Sequence, residues 1–441
     1  MKRSALLLLS LSAIPAIAGT DCWTYVPGSP RGTISWTDSS GFENVVQGIE
    51  LDGTGVKIKA NQNRNSTALK NLDMSLPVRD AGGGALVWSP DVLAGDNANA
   101  VLGYITGLTN IVLPSVCTSL GRYCFKGNTG LVRVRLNDGL VSIGSEGFNG
   151  CSALETIENF FPDSLETVGS YAFNDCKKLA GDCVAKGLVS IADRGFKNCY
   201  LLSGFDGSAS PLKIIDQFAF YGDEGIVSVI LPDTVTNISD GAFQGCSALR
   251  DLAPLLPPKL AKFGTDSQQA VINCPLEGHV YSPPTLERIV KRCFRSSRIE
   301  TFTAAKKGLK TIGQYAFYNN TKITNVVLSA TMEGLEVEWL SNTGTAGVEQ
   351  HVWFRNLPAS LPSGLWQGTK KQNITVHLPL SQEKEWREWV ASAPSGHTFT
   401  FKGVAATLPE HRNDVGTWLS SVMQNVTWWK DVEAPTVIVV K

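Results

Sequence analysis

The chain is poor in charge and shows no bias toward either sign: 18% of its 441 residues are charged, and the net charge is −1. A nucleic acid or an anionic membrane surface is recognised by a basic field, so neither is expected as a partner. Catalytic and metal signatures are also missing. There is no Cys-x-x-Cys pair, His-Glu-x-x-His, Gly-x-Ser-x-Gly elbow, P-loop, or glycine fingerprint opening a helix. The five histidines, His279, His351, His377, His397 and His411, are scattered through the second half, and the carboxylates form no convincing pair. Triad members can lie far apart in sequence, so missing motifs alone do not rule out an enzyme. No cofactor and no metal site is expected, and no enzymatic activity. Beyond the first residues, no run approaches the roughly 18 apolar residues that span a bilayer.

The first residues carry an address. Met1-Lys2-Arg3-Ser4 is a basic end, Ala5 to Leu11 a short apolar core, and Ala16-Ile17-Ala18 a small-x-small cleavage site. These predict a secretory signal peptide over 1–18, removed near Ala18-Gly19. Cys22 follows Asp21 rather than a small residue, which does not fit a lipoprotein cleavage box. The expected location is secreted or at the cell surface, with the periplasm as the other compartment open.

A repeat dominates the middle of the chain. An aromatic recurs at Phe125, Phe148, Phe173, Phe196, Phe220 and Phe243, then at Phe294 and Phe317, at intervals of 23, 25, 23, 24, 23, 51 and 23 residues. The long interval holds two units, one degenerate. A period of this length implies a solenoid, in which each unit shelters its apolar side only by stacking on its neighbours. Four residues before the ring stands Gly121, Gly144, Gly169 or Gly313; just before it, Ala172, Ala219, Ala242 or Ala316; three after it, Cys151, Cys176, Cys199 or Cys246. A Leu-x-x-apolar-x-apolar stretch follows (Leu131, Val134, Leu136), then a second apolar pair (Leu140, Ile143). The two alternating runs predict two short strands per unit, and the Gly-x-x-Ala-Phe segment a tight helical turn.

This pattern resembles the BspA-type leucine-rich repeats of surface proteins, Leu-x-x-Ile-x-Leu-Pro-x-x-Val-x-x-Ile-Gly-x-x-Ala-Phe-x-x-Cys, and Ile226 to Cys246 follows it closely. The match covers about half the chain. The unit around Ala270 to Cys274 lacks the aromatic, and later units replace the cysteine with Ser297 and Asn320. The Asn ladder of the ribonuclease-inhibitor type is absent, since Gly139 holds the corresponding place. The resemblance implies a leucine-rich-repeat solenoid of the α/β class, strand-dominated, with about 8–10 coils of 23–25 residues and caps at both ends. It also implies adhesion to host proteins, matrix or other cells.

The expected organisation is a signal peptide (1–18), an N-terminal cap region with a degenerate lead-in coil (19–105), the repeat array (106–329), an insertion and degenerate repeat (330–373), and a C-terminal cap (374–441). Thr33–Trp36 and Val56–Lys59 read as strands of the first cap; Leu69, Leu72 and Leu76-Pro77 mark the lead-in coil. In the last region Ile374, Val376 and Leu378 repeat the strand signature. Ser381–Ala393 then carries Trp386, Trp389 and Val390 at helical spacing, and Thr398–Phe401 reads as a strand. A second short helix over Asp414–Met423 and a strand at Thr436–Val440 come last. Residues 330–362 read as a loop-rich interruption.

Ten cysteines in an exported chain suggest disulfides. Five of them, however, share one repeat position, where buried apolar spacers are the commoner use. Pairs such as Cys151–Cys176 or Cys246–Cys274, and small loops closed by Cys117–Cys124 or Cys176–Cys183, remain open. Eight of eleven tryptophans lie after residue 338. Trp366, Trp386 and Trp389 read as core, whereas Trp428 and Trp429 have no period assigning them to one and are candidate exposed contacts.

Alternation along each Leu-x-x-apolar-x-apolar strand turns outward Asn110 and Val112, Arg133 and Arg135, Thr156 and Glu158, Gly204 and Asp206, Ser228 and Ile230, Thr301 and Thr303, Asn325 and Val327. Candidate ligand-facing residues among them are Arg133, Arg135, Thr156, Glu158, Asp206, Ser228, Thr301 and Asn325. Their mixed signs suit a protein ligand. A glycan, taken up by the Trp-rich C-terminal region, is the alternative.

Overall fold

The computed structural model describes residues 22–94 (without 30, 60 and 61), 100–250, and 256–356 (without 268, 337 and 344–347), then 358. Beyond these it describes strands at Asn373–Pro379, Thr398–Phe401, Val404–Thr407 and Val426–Trp429. The chain winds into a strand-dominated solenoid of about ten turns, with no α-helix among the described residues. The signal peptide, Trp366, Ser381–Ala393 with Trp386 and Trp389, Asp414–Met423 and Thr436–Val440 lie outside the described residues.

Each coil has three faces. The Leu-x-x-apolar-x-apolar stretch forms the longer strand, hydrogen-bonded in parallel to its counterparts. A first sheet joins Asn71–Asp73, Asn110–Val112, Arg133–Arg135 and Thr156–Glu158. A second joins Ala180–Val184, Leu201–Asp206 and Ser228–Ile230. A third runs through Glu277–Ser282, Arg298–Ala304, Asn325–Val327, Glu349–Trp353, Asn373–Pro379 and Val426–Trp429. The second apolar pair forms a two-residue strand in each coil, from Ser119–Leu120 to Lys262–Phe263 and again from Arg288–Ile289 to Gly334–Leu335.

The third face is where the structure departs from the expected helical turn. Two residues before each ring the backbone is left-handed, at Tyr123, Glu146, Tyr171, Arg194, Phe218, Arg292 and Tyr315, and such a residue cannot continue a right-handed helix. The ring residue's own N–H instead crosses to the next coil: Phe125 to Gly147, Phe173 to Gly195 and Phe294 to Ala316, at 2.7, 2.7 and 2.8 Å. Gly241 holds the left-handed place in its coil, and a Cβ there would meet the Phe218 ring at 2.6 Å. At Gly144 the constraint is closeness rather than bending, since a Cβ would meet the Leu120 carbonyl oxygen at 2.7 Å.

The repeat rings stand in file inside. Phe125, Phe148, Phe173, Phe196, Phe220 and Phe243 are fully buried, with successive centroids 5.1–5.4 Å apart and nearly parallel planes. The file continues at Phe294–Phe317, 5.5 Å apart. In the coil without an aromatic, Val271 takes the ring's place, for Phe243 N donates to Ala270 O as other rings do to the residue before the next ring. There Phe263, buried on the short-strand face, packs against Phe294 with ring centroids 5.9 Å apart.

Within 330–362, expected to interrupt the array, the described residues of 330–353 form another coil instead. Gly334–Leu335 extends the short-strand face, Glu349–Trp353 extends the long one, and Phe317 N donates to Trp339 O. The order Trp339-Leu340 puts the aromatic one place early, which hides the repeat in the sequence.

Before the array, Gly55–Ile58, Glu43–Asp52, Gly32–Thr37 and Trp23–Val26 form an antiparallel meander that continues into Val78–Asp80 and Ala85–Leu86. The expected strand at Thr33–Trp36 falls within it, as does Val56–Lys59 except for Lys59, and Asn71–Asp73 makes Leu72 part of a true lead-in coil. Asn44 Oδ1 accepts the N–H groups of Lys70 and Asn71 at 2.9 and 2.7 Å, donors that the first strand would otherwise offer to another chain. Asp38, 4% exposed, accepts from Asn44 and Asn71 at 3.2 and 2.6 Å. Burial opposes its charge, but hydrogen bonds from Ser40, Asn71 and Asn44 win and lower its pKa to about 2.

Candidate interaction surface

A solenoid's chemistry is set by what each repeat position must do. Three residues after the ring, the thiols of Cys151, Cys176, Cys199, Cys246 and Cys274 donate to the carbonyls of Phe125, Phe148, Phe173, Phe220 and Phe243, at 2.9–3.2 Å. Asn128 and Asn320 fill the same place and donate to Leu102 and Phe294 carbonyls at 2.8 and 2.6 Å, and Ser297 donates to Cys274 O at 3.2 Å. The column is therefore a hydrogen-bonding ladder, neither a set of disulfides nor inert spacers. All ten cysteines are free thiols, nine of them buried. Burial pushes the Cys117 and Cys151 thiols up to about 12, so they are neutral and poor nucleophiles.

The candidate residues on the long-strand face fall into three patches. Arg133, Arg135, Thr156 and Glu158 come together in the first sheet, where Arg133 is level with Asn110 and Thr156, and Arg135 with Val112 and Glu158. Arg135 and Glu158 approach to 4.0 Å, with most of the arginine in solvent. A cleft of about 320 Å³ opens beside them, lined by Val112, Arg135, Asn137, Asp138 and Asn159. Asp206 and Ser228 lie in the second sheet in neighbouring columns, Ser228 level with Gly204 and Asp206 level with Val184 and Ile230. Thr301 and Asn325 are level with each other in the third sheet. Trp428 and Trp429 belong to a strand paired with Asn373–Pro379, and their side chains are outside the described residues.

Two features go beyond the outward residues that alternation gives, of which Ile230 is one. Val184, Leu201, Val227 and Ile230, on or beside the second sheet, are 47%, 54%, 52% and 39% exposed, with Val184 and Ile230 on either side of Asp206 and Leu201 at the other end of its strand. The scattered histidines partly converge as well. His351 Nδ1 lies 3.0 Å from His377 Nε2, and the His377 ring stacks on Trp353 at 3.5 Å. The signal for this was present, since both lie in apolar-alternating strands, but an interruption assumed over 330–362 removed His351 from the register. Among the described residues no three His, Cys, Asp or Glu side chains are grouped to hold a metal, and no helix is long and apolar enough to cross a membrane.

Residues 100–211 and 267–349 match the model of the BspA type Leucine rich repeat region, in six copies. No curated protein matches the chain. Among solved structures, a leucine-rich repeat protein from Bacteroides ovatus is 18% identical, with a TM-score of 0.43, covering 78% of this chain and 96% of that one. A leucine rich cell surface protein from Faecalibacterium prausnitzii is 15% identical, with a TM-score of 0.35 and coverages of 75% and 94%. A leucine-rich repeat protein of T. pallidum is 17% identical, with a TM-score of 0.26 and coverages of 68% and 87%.

Proposed function

We propose, taking the BspA-type leucine-rich repeats as the premise, that this chain is an exported, non-catalytic interaction protein that binds a protein ligand through its long-strand face and serves adhesion. Export rests on the signal-peptide pattern of residues 1–18. The observation that carries the binding face is the exposure of four large apolar side chains, Val184, Leu201, Val227 and Ile230, spread over the second sheet amid polar neighbours. An apolar centre with a polar rim is the anatomy of a protein interface. Arg133, Arg135, Thr156 and Glu158 on one side, and Thr301 and Asn325 on the other, supply that rim.

The test is surface plasmon resonance of the full chain against a panel of purified extracellular-matrix proteins, repeated with Val184→Asp/Ile230→Asp. Exposed positions tolerate such changes within about 0.5 kcal/mol, so melting temperature serves as the control. We expect at least one matrix protein to bind and the double variant to lose about tenfold or more in affinity. No binding by the wild type, or binding unmoved by the substitutions, overturns the reading. The alternative, glycan binding through the Trp-rich C-terminal region with Trp428 and Trp429, predicts signal on a glycan array that the double variant retains.

A further inference from the structure

Arg355 follows the strand Glu349–Trp353 and donates from Nη1 to the Ala304 carbonyl at 2.7 Å. The coil of Asn325–Val327 lies between these two, so the side chain passes over it. Thr303 and Val327 share an outward column with Tyr281 and Trp353 yet are only 8% and 2% exposed. The guanidinium is half-buried, and its desolvation lowers its pKa from the ordinary arginine value, with the Tyr281 phenol acting in the opposite sense. No carboxylate among the described residues pairs with it.

Among the described residues, the surroundings have no acid to offer. Residues 301–332 and 350–382 contain neither Asp nor Glu. Exposed Lys306 and Lys307 occupy the same corner, where Ala330 N donates to Lys306 O and Asn356 Nδ2 to Ala330 O, at 2.9 and 3.1 Å. On the strands beneath, Glu277 and Glu300 lie toward the far end, and Glu277 is taken by Arg250 and Arg298, each at 3.3 Å. A half-desolvated cation without a counter-ion is costly, and a planar guanidinium fork is shaped for a carboxylate.

We propose that this corner binds a carboxylate on an acidic segment of a protein partner. Arg355 is the anchor, Lys306 and Lys307 are the flanking cations, and Tyr281, 47% exposed, is the contact beside it. One recessed fork with two neighbours suits discrete side-chain carboxylates, whereas a polyanion is gripped by an open row of cations. The inference deepens the protein-binding reading of the strand face but uses residues apart from Val184, Leu201, Val227 and Ile230, so the two fail separately.

The experiment measures fluorescence anisotropy of fluorescein-labelled octaglutamate with the full-length chain, with octalysine and heparin as comparison probes. The wild type is expected to bind octaglutamate in a salt-sensitive manner and to ignore octalysine. Arg355→Gln should weaken binding about tenfold or more and Tyr281→Ala several-fold. Absence of octaglutamate binding, or equal binding by Arg355→Gln, overturns the proposal. Heparin binding that Arg355→Gln weakens, with octaglutamate silent, overturns it in favour of a sulfated glycan. If Arg355→Gln does not fold, Tyr281→Ala and Lys306→Ala/Lys307→Ala decide, and unchanged binding by both overturns it.

Discussion

At the scale of single residues, Asp223 is the informative exception. It stands in the ladder place three after Phe220, fully buried, and accepts from Cys199 N at 2.7 Å through Oδ1, while Oδ2 has no partner. The place calls for a donor toward the preceding coil's carbonyl, which a carboxyl group supplies only when protonated. Burial accordingly pushes its pKa well above the ordinary aspartate value. For an acid raised in the fold, stability is intact below the unfolded pKa of about 3.9 and is lost as pH rises toward the folded one. Asn128 and Asn320 show that an amide fits the ladder. Asp223→Asn should therefore stabilise the chain by on the order of 1–3 kcal/mol at about pH 7. The gain should shrink toward about pH 4, as followed by thermal melts across pH. A gain independent of pH would speak against a buried acid.

At the scale of the coil, stability is a sum of nearest-neighbour terms. Phe196 is held between Phe173 and Phe220 at 5.1 and 5.4 Å. Phe196→Ala should cost about 3–5 kcal/mol, and hydrogen exchange should show the loss concentrated in the coils on either side. Uniform loss along the array would argue against stacking as the source of order. The rings were legible because a file of identical contacts imposes one residue type at one spacing. The turn face was not: a left-handed residue carries no fixed side chain, and Tyr123, Glu146, Tyr171 and Arg194 all adopt it. Nor was the coil within 330–353, where Trp339-Leu340 reverses the usual order, or the packing of Phe263 on Phe294. On the surface, Arg133, Arg135, Thr156 and Glu158 followed from period-2 alternation alone. Of the exposed apolar residues, Ile230 followed from the same alternation, whereas Leu201 did not, because it lies in a strand whose register shifts between Gly181 and Asp182 against its neighbour.

At the scale of the whole molecule, a stack of parallel strands has ends, and an uncovered end invites another chain. The N-terminal meander closes one end through Asn44 and Asp38. Asp38 is depressed to about 2, so its contribution is present above the unfolded pKa of about 3.9 and fades as pH falls through the folded value. Asp38→Ala leaves the amides of Asn44 and Asn71 without their shared acceptor, at a cost of about 1–3 kcal/mol. The meander should then detach more readily, and size-exclusion chromatography at rising concentration should show association that the wild type lacks. A strictly monomeric variant would mean that the end is protected by other means.

The thiol ladder makes opening hazardous in a way that closing is not. Nine sulfurs are kept from oxidant only by the coils around them. Once the chain unwinds in air, those sulfurs become ordinary reactive thiols, free to join in pairings that the stacked array does not contain. Such cross-links are incompatible with rewinding, so durability is governed by how rarely the array comes apart rather than by how readily it reforms.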